Sequence, residues 1–351
     1  MKRLNFSFTH FSIKKLQNFK FHLKLFPKVQ FCKSAIFAYF YILLYKLAKC
    51  MFDSGFLNIL ADPRNGESLK WGNDGAHLRS SDAEYQINEG VPILLPKEAA
   101  IIPEAHELHR RFGTHFDYSD HYHSDAEYFD YFKPYNDLAI DHQFRRIHES
   151  ILKRVPRNAE LILDVGCGSG WVAQTLCKGD TKVVSMDISL ANPLKTNRLV
   201  NSPNHMAVVA DAYNLPFKAD SFDCIIASEI IEHVSDPALF IRSLLKALKP
   251  GGMLIISTPY NEKINYYLCV HCNKVTPQYA HLNSFNEKNF NQFLPANIAK
   301  FDYLIFNNSY LPKLRFHYLF QVLPFNIWQV FDKIANAITN KAICFTIYVE
   351  K

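Results

Sequence analysis

The first fifty residues contain no Asp or Glu and no apolar run of membrane-spanning length. Residues 35–45 (AIFAYFYILLY) are about half of the roughly 20 that a spanning helix needs, and Lys46 and Lys49 close the run. An interfacial helix is therefore expected there rather than a crossing one. The segment shows no secretory signal or small-residue cleavage site; acid-poor like a transit peptide but with Arg3 as its single arginine and few serines, it leaves organelle import as a minor option.

Ten Lys/Arg sit in this acid-free head, leaving 29 basic against 33 acidic residues beyond it, so the net charge of +6 divides into a head of +10 and a body near −4. A head this basic, rich in Phe and Tyr, suits an anionic membrane surface, at on the order of 1 kcal/mol per basic residue. The other reading makes Met51 the start and residues 1–50 an extension without selected function. Internal repeats and low-complexity tracts are absent. Outside the head there is no basic groove, so nucleic acid is not an expected partner. The eight cysteines (Cys32, Cys50, Cys167, Cys177, Cys224, Cys269, Cys272, Cys344) are scattered, several on expected core strands, which points to reduced intracellular thiols. At 351 residues and 48% hydrophobic, a sizeable core is feasible.

Residues 161–171 read LILDVGCGSGW: an apolar run, an acid, then three glycines at alternate positions. The pattern describes a buried parallel strand turning tightly into a helix. Gly166, Gly168 and Gly170 lack Cβ atoms, so the backbone can take positive φ and approach a nucleotide-like ligand. Alone, the pattern also fits dinucleotide enzymes, or a tight turn without ligand. The next strands narrow it. Residues 182–189 (KVVSMDIS) carry Asp187 where such folds put the carboxylate that takes both ribose hydroxyls. Residues 206–212 bring Asp211 before a turn-like YNLPF, and an acid there can accept from an adenine amino group. Residues 222–228 (FDCIIAS) lead into EIIEHV, and KPGG turns into a fifth strand at 253–257.

Together DVGCGSG, MDIS, VVADAYNLPF, SFDCIIASEIIEHV and LKPGGMLIIS resemble the class I S-adenosylmethionine-dependent methyltransferases, closely over residues 145–260. The resemblance implies an α/β fold: a doubly wound, seven-stranded, mostly parallel Rossmann-like sheet whose last strand runs antiparallel, with residues 301–307 and 342–350 as the closing pair. It implies S-adenosyl-L-methionine as cofactor. Asp164 would orient the amino group of the methionine moiety, with the loop of Gly166, Cys167, Gly168 and Gly170 alongside. Asp187 would hold the ribose and Asp211 the adenine, and Ile188, Ala212 and Ser228 complete the cofactor set. Each acid also fits a strand or helix cap. Attack on an electrophilic methyl needs chiefly proximity and orientation. A hydroxyl acceptor benefits from a general base, and His233 and Glu229, with Glu232, lie just beyond the fourth strand where the acceptor docks. A merely packed histidine is an equal reading of His233.

The chain divides into the basic head (1–50), a small β-rich unit (51–96), a linker and helical lid (97–144) and the methyltransferase domain (145–351). Residues 57–95 resemble a zinc-ribbon-like methyltransferase-activator domain, but its four metal positions fall on Asp62, Asn65, Leu78 and Ser81, none a thiolate. A metal-free relic or a plain β-rich cap is implied. His121 and His123 stand two apart, which on a helix turns them away from each other, so a lid is expected there rather than a metal site. Cys269 and Cys272, with His281, form a knuckle for zinc or else a redox-inert hairpin beside the acceptor. From Asn326 onward apolar residues recur at helical spacing, as a packed helix or as one that meets a membrane or lipidic acceptor.

The expected function is methyl transfer to a hydroxyl of a small or lipid-linked molecule, as in quinone-type biosynthesis. The enzyme would be cytoplasmic, peripheral on the inner face of a membrane through residues 1–50 and 311–340. Methylation of RNA or protein is one alternative, and a catalytically silent cofactor-binding module is another.

Overall fold

The computed structural model describes residues 54–96, 118–268, 273–296, 298 and 301–351, with 54 and 118–120 as backbone only. The basic head, most of the linker, and both Cys269 and Cys272 lie outside the described residues. Residues 50–351 form one compact unit.

A short helix, α1 (Ser54–Leu57), leads into four strands: β1 (Lys70–Trp71), β2 (His77–Arg79), β3 (Glu84–Asn88) and β4 (Val91–Leu94). Two helices follow, α2 (Tyr118–Tyr128) and α3 (Leu138–Leu152). The alternating part is β5 (Leu161–Val165), α4 (Trp171–Leu176), β6 (Lys182–Asp187), α5 (Ala191–Leu199), β7 (His205–Ala210), β8 (Phe222–Ser228), α6 (Pro237–Ala247) and β9 (Leu248–Pro259). A hairpin of β10 (Tyr266–Leu268) and β11 (Val275–Pro277) comes next, then β12 (Phe301–Asn308). Three helices, α7 (Tyr310–Lys313), α8 (His317–Phe320) and α9 (Phe325–Thr339), precede the last strand, β13 (Ala342–Glu350).

The large sheet runs β1-β2-β3-β4-β7-β6-β5-β8-β9-β13-β12. From β7 to β9 the strands are parallel, while β13 runs antiparallel to both β9 and β12. This is the expected doubly wound set of seven with its last strand reversed. The central strands are buried on both faces, which is why they read as continuous apolar runs. Alternate residues divide between two cores: Leu163, Met186 and Ile225 pack with Phe240, Ile241 and Leu244 of α6. Ile162, Val183 and Ile226 pack with Ile147 and Ile151 of α3 and Trp328 of α9.

The sheet does not end at β7. Ile93 and Leu94 of β4 pair in parallel with Val209 and Ala210, and β1–β3 continue outward as an antiparallel meander. Leu60, Leu69, Leu78, Tyr85 and Leu94 share the core of Leu163 and Phe222. The positions that the zinc-ribbon resemblance assigned to metal serve other ends. Leu78 is fully buried in that core. Asp62 is buried too, and its carboxylate accepts from Arg64 (2.8 Å), Ser80 Oγ (2.6 Å) and Tyr85 Oη (2.8 Å). Asn65 and Ser81 lie in exposed turns, each bonded to Glu67.

Among the described residues no helix is long and apolar enough to cross a membrane.

Candidate active site

At the carboxyl end of β5 the chain reverses through Gly166 (φ 71°), Gly168 (φ 45°) and Gly170 (φ 69°). Gly170 is the left-handed N-cap of α4. Two of the three positions are also sterically closed to a side chain. A Cβ on Gly166 would stand 2.2 Å from Ile230 Cδ1, and one on Gly170 2.6 Å from Thr196 Cγ2. The amides of Gly166 and Cys167 both donate to Met186 O (2.8 and 2.9 Å), which pins the turn against β6. The Cys167 thiol is buried beside Thr196, so this residue can offer a ligand only its backbone.

Three acids end the adjoining strands. Asp164 is 2% exposed, and its Oδ2 is buried with no hydrogen-bond partner among the described residues. Burial, aided by the nearby Asp187, holds its pKa well above the usual carboxylate range. An isolated buried carboxyl of this kind fits a cationic ligand group, which would restore its ionised form. Asp187 accepts from Ser189 N and Oγ (3.0 and 3.1 Å), Asn192 Nδ2 (3.1 Å) and, at 3.4 Å, Gly168 N. Burial raises its pKa, against those bonds. The long Gly168 contact is the one a ribose hydroxyl would most easily replace. Asp211 is buried after β7 and accepts from Tyr213 N at 2.9 Å. Ile188 and Ala212 follow their acids, half-buried.

A second group forms where β8 ends. Ser228 Oγ meets Ser257 Oγ at 2.9 Å, and Ser257 Oγ donates to Glu229 Oε1 at 2.8 Å. Burial pushes the Glu229 pKa up to about 7, against the Ser257 bond and the charge of His281. EIIEHV is no surface helix: Ile231–His233 is a single 3-10 turn. Glu232 lies 1% exposed there. Thr258 Oγ1 donates to Glu232 (3.0 Å), and burial beside Glu229 raises its pKa well above the ordinary range. His233 Nδ1 lies 3.3 Å from Ala280 O, which assigns the proton to Nδ1 and leaves the Nε2 lone pair beside Glu232 Oε1 at 3.9 Å. Burial, with His281 beside it, lowers its pKa to about 3. With the pKa so low, His233 is a poor match to proton transfer near neutrality, whereas Glu229 is well matched.

Two contributors were not legible as partners of this group. Tyr122 of α2 sets its ring edge-on against His233 (5.6 Å), with its hydroxyl buried and unpartnered among the described residues. His281 lies 4.8 Å from His233, ring to ring, and its Nδ1 is 2.5 Å from Glu262. No spacing rule links these positions to EIIEHV. His281, expected to ligate zinc with Cys269 and Cys272, thus faces Glu262, Glu232 and His233. The thiols lie outside the described residues, and zinc is not supported there. Glu232, His233 and His281 hold ligand atoms within 4.8 Å of one another, a carboxylate and two imidazoles of the kind that divalent cations take.

Strand order, the reversed last strand and a glycine turn flanked by acid-terminated strands define a Rossmann-like, class I S-adenosylmethionine-dependent methyltransferase fold. Residues 163–256 match the family model described as "Methyltransferase domain", so the chain carries a domain of that kind. Among curated relatives, the mitochondrial ubiquinone biosynthesis O-methyltransferase of Rattus norvegicus is 33% identical over 119 residues, 32% of this chain and 34% of that one. The ubiquinone biosynthesis O-methyltransferase of Aliivibrio fischeri (strain MJ11) is 31% identical over 153 residues, 39% of this chain and 64% of that one. The chain thus spans about a third to just under two thirds of the length of these relatives. Of solved structures, an S-adenosylmethionine-dependent methyltransferase from Mesorhizobium loti aligns over 60% of this chain and 100% of its own, at 16% identity and a TM-score of 0.43. The zinc-ribbon resemblance of residues 57–95 finds no support in these comparisons, in keeping with their place in the methyltransferase sheet.

Proposed function

We propose that the chain transfers a methyl group from S-adenosyl-L-methionine to a hydroxyl of a small or lipid-linked molecule. The observation that carries this reading is the adjacency of the two site halves. Ile230, the residue after Glu229, packs so closely on Gly166 that no Cβ would fit between them. Glu229, whose carboxyl is poised near neutrality, is therefore the chain neighbour of the residue that packs on the glycine turn. The names of the relatives, O-methyltransferases of ubiquinone biosynthesis, support a hydroxyl on a lipid-linked quinone precursor as the acceptor class.

In this reading Asp164 takes the amino group of the methionine moiety, Asp187 the ribose and Asp211 the adenine, with Ile188, Ala212 and the glycine turn enclosing them. When bound, the sulfonium supplies an electrophilic methyl carbon. Ionised Glu229 accepts the acceptor's hydroxyl proton as its oxygen forms the new bond to that carbon and the carbon–sulfur bond breaks. Ser257 holds the Glu229 carboxylate in place, and half-buried Tyr122 and His233 keep water from the acceptor side.

Calorimetric titration of the whole chain with S-adenosylmethionine and with S-adenosylhomocysteine is the test. Micromolar binding of both is expected, weakened by about ten- to a hundredfold in Asp187→Ala through loss of charge-assisted bonds. Binding of neither overturns the reading. Binding without methyl transfer to any phenolic or lipid extract favours the silent module, and salt-sensitive RNA affinity favours RNA as the acceptor.

A further inference from the structure

Helix α9 is inside out. Phe325, Trp328 and Asp332 are buried and half-buried Asn336 and Thr339 also face β12, so much of its inward stripe is polar. Its outward stripe is Ile327, Val330, Phe331, Ile334 and Ile338, all exposed, Ile338 at 78%. These recur at the spacing of one helical face. Just before it, around α7 and α8, Leu314, Phe316, Tyr318, Leu319 and Val322 are exposed as well. A contiguous apolar surface of this kind marks an interaction site.

Charge decides the partner. Between Tyr303 and Val349 the only acid is Asp332, which is buried and bonded to the amides of Asn307 and Asn308. The exposed charges of that stretch are Lys313, Arg315, Lys333 and Lys341, all positive. Just after α3, Lys153 adds another beside Phe325. A second copy of this face would bring like charges together. The +10 head of residues 1–50 carries the same sign of charge. An anionic lipid surface satisfies both features at once, taking the apolar stripe at the acyl boundary and the cations at the phosphates. With 15 residues and one polar face, α9 suits lying in the interface rather than crossing it.

We propose that the α7–α9 face docks in the plane of an anionic bilayer. The test is vesicle co-sedimentation of the whole chain, with phosphatidylcholine alone and with phosphatidylcholine mixed with phosphatidylglycerol. Wild type is expected to bind the anionic vesicles and to lose that binding at high salt. Ile334→Asp with Ile338→Asp should weaken it by about tenfold or more, and Lys313→Glu with Lys333→Glu should weaken it too. Melting temperature and cofactor affinity should stay unchanged in both variants, showing that the fold is intact. Wild-type failure to bind anionic vesicles overturns the proposal, as does undiminished binding by the aspartate variant, which would assign docking to residues 1–50. A lipid-free dimer that the same variant dissociates overturns it in favour of a second copy. The readout needs no methyl acceptor, so it stands or falls apart from the proposed reaction.

Discussion

Glu229 is held at φ 57°, a conformation that a non-glycine residue keeps only where its surroundings enforce it. Its amide donates to Ser257 O (2.9 Å) and its carboxylate accepts from the same residue's hydroxyl, so β9 fixes both ends of the residue. The folded pKa of about 7 exceeds the ordinary 4.5. The protonated form's stabilisation is therefore fully present below about 4.5 and is lost as pH rises through 7. Glu229→Gln should then be more stable than wild type at pH 8 by about 1–2 kcal/mol, since solvent screens part of the effect at this half-buried residue. It should also transfer methyl about a hundredfold to ten-thousandfold more slowly and lose the rate limb near pH 7, while keeping its cofactor affinity. Paired urea titrations and pH–rate profiles check this, and an unchanged limb in the variant would remove Glu229 from the reaction. The acids and glycines were legible in the sequence because each closes a local apolar run. The environment of Glu229 was not, since Ser257, His281 and Glu262 arrive from later in the chain.

At the scale of elements, periodicity placed α9 but could not say which way it faces. Its apolar stripe is the more hydrophobic face, and burial alone would turn it inward. Backbone hydrogen bonding turns it the other way. The amides of Asn307 and Asn308, at the end of β12, need acceptors once buried, and Asp332 supplies them at 3.1 and 2.7 Å. Asn308 Nδ2 then donates to Asn336 and Thr339, both at 2.7 Å. Trp328, stacked over the Arg146 guanidinium at 4.7 Å, fills the rest of the interface. Asp332→Ala should cost about 1–3 kcal/mol for each orphaned amide, read as a lowered melting temperature, with the cofactor site unaffected. A variant as stable as wild type would mean that hydrogen bonding does not orient this helix. Helix existence was thus readable from spacing, whereas helix orientation depended on a strand end that no local pattern reveals.

Across the whole molecule, the β-rich segment before α2 is an extension of the methyltransferase sheet through β4. Residues 91–94 form an ordinary short strand, and nothing local announces that their partner is β7, beyond α2 and α3 in the chain. Asp62 ties this extension together. Burial alone would raise its pKa, but bonds from Arg64, Ser80 and Tyr85 outweigh that and hold it well below the usual carboxylate range. Because Leu60, Leu78 and Tyr85 share one core with Leu163 and Phe222, damage at Asp62 should spread. Asp62→Ala leaves the Tyr85 hydroxyl buried without its acceptor, at a cost of about 1–3 kcal/mol. The loss should appear as one urea transition shifted to lower concentration, coincident by tryptophan fluorescence and by cofactor binding. Two separated transitions, with cofactor binding surviving the first, would mean that the β-rich segment folds as an independent unit and that the β4–β7 pairing contributes little to cooperativity.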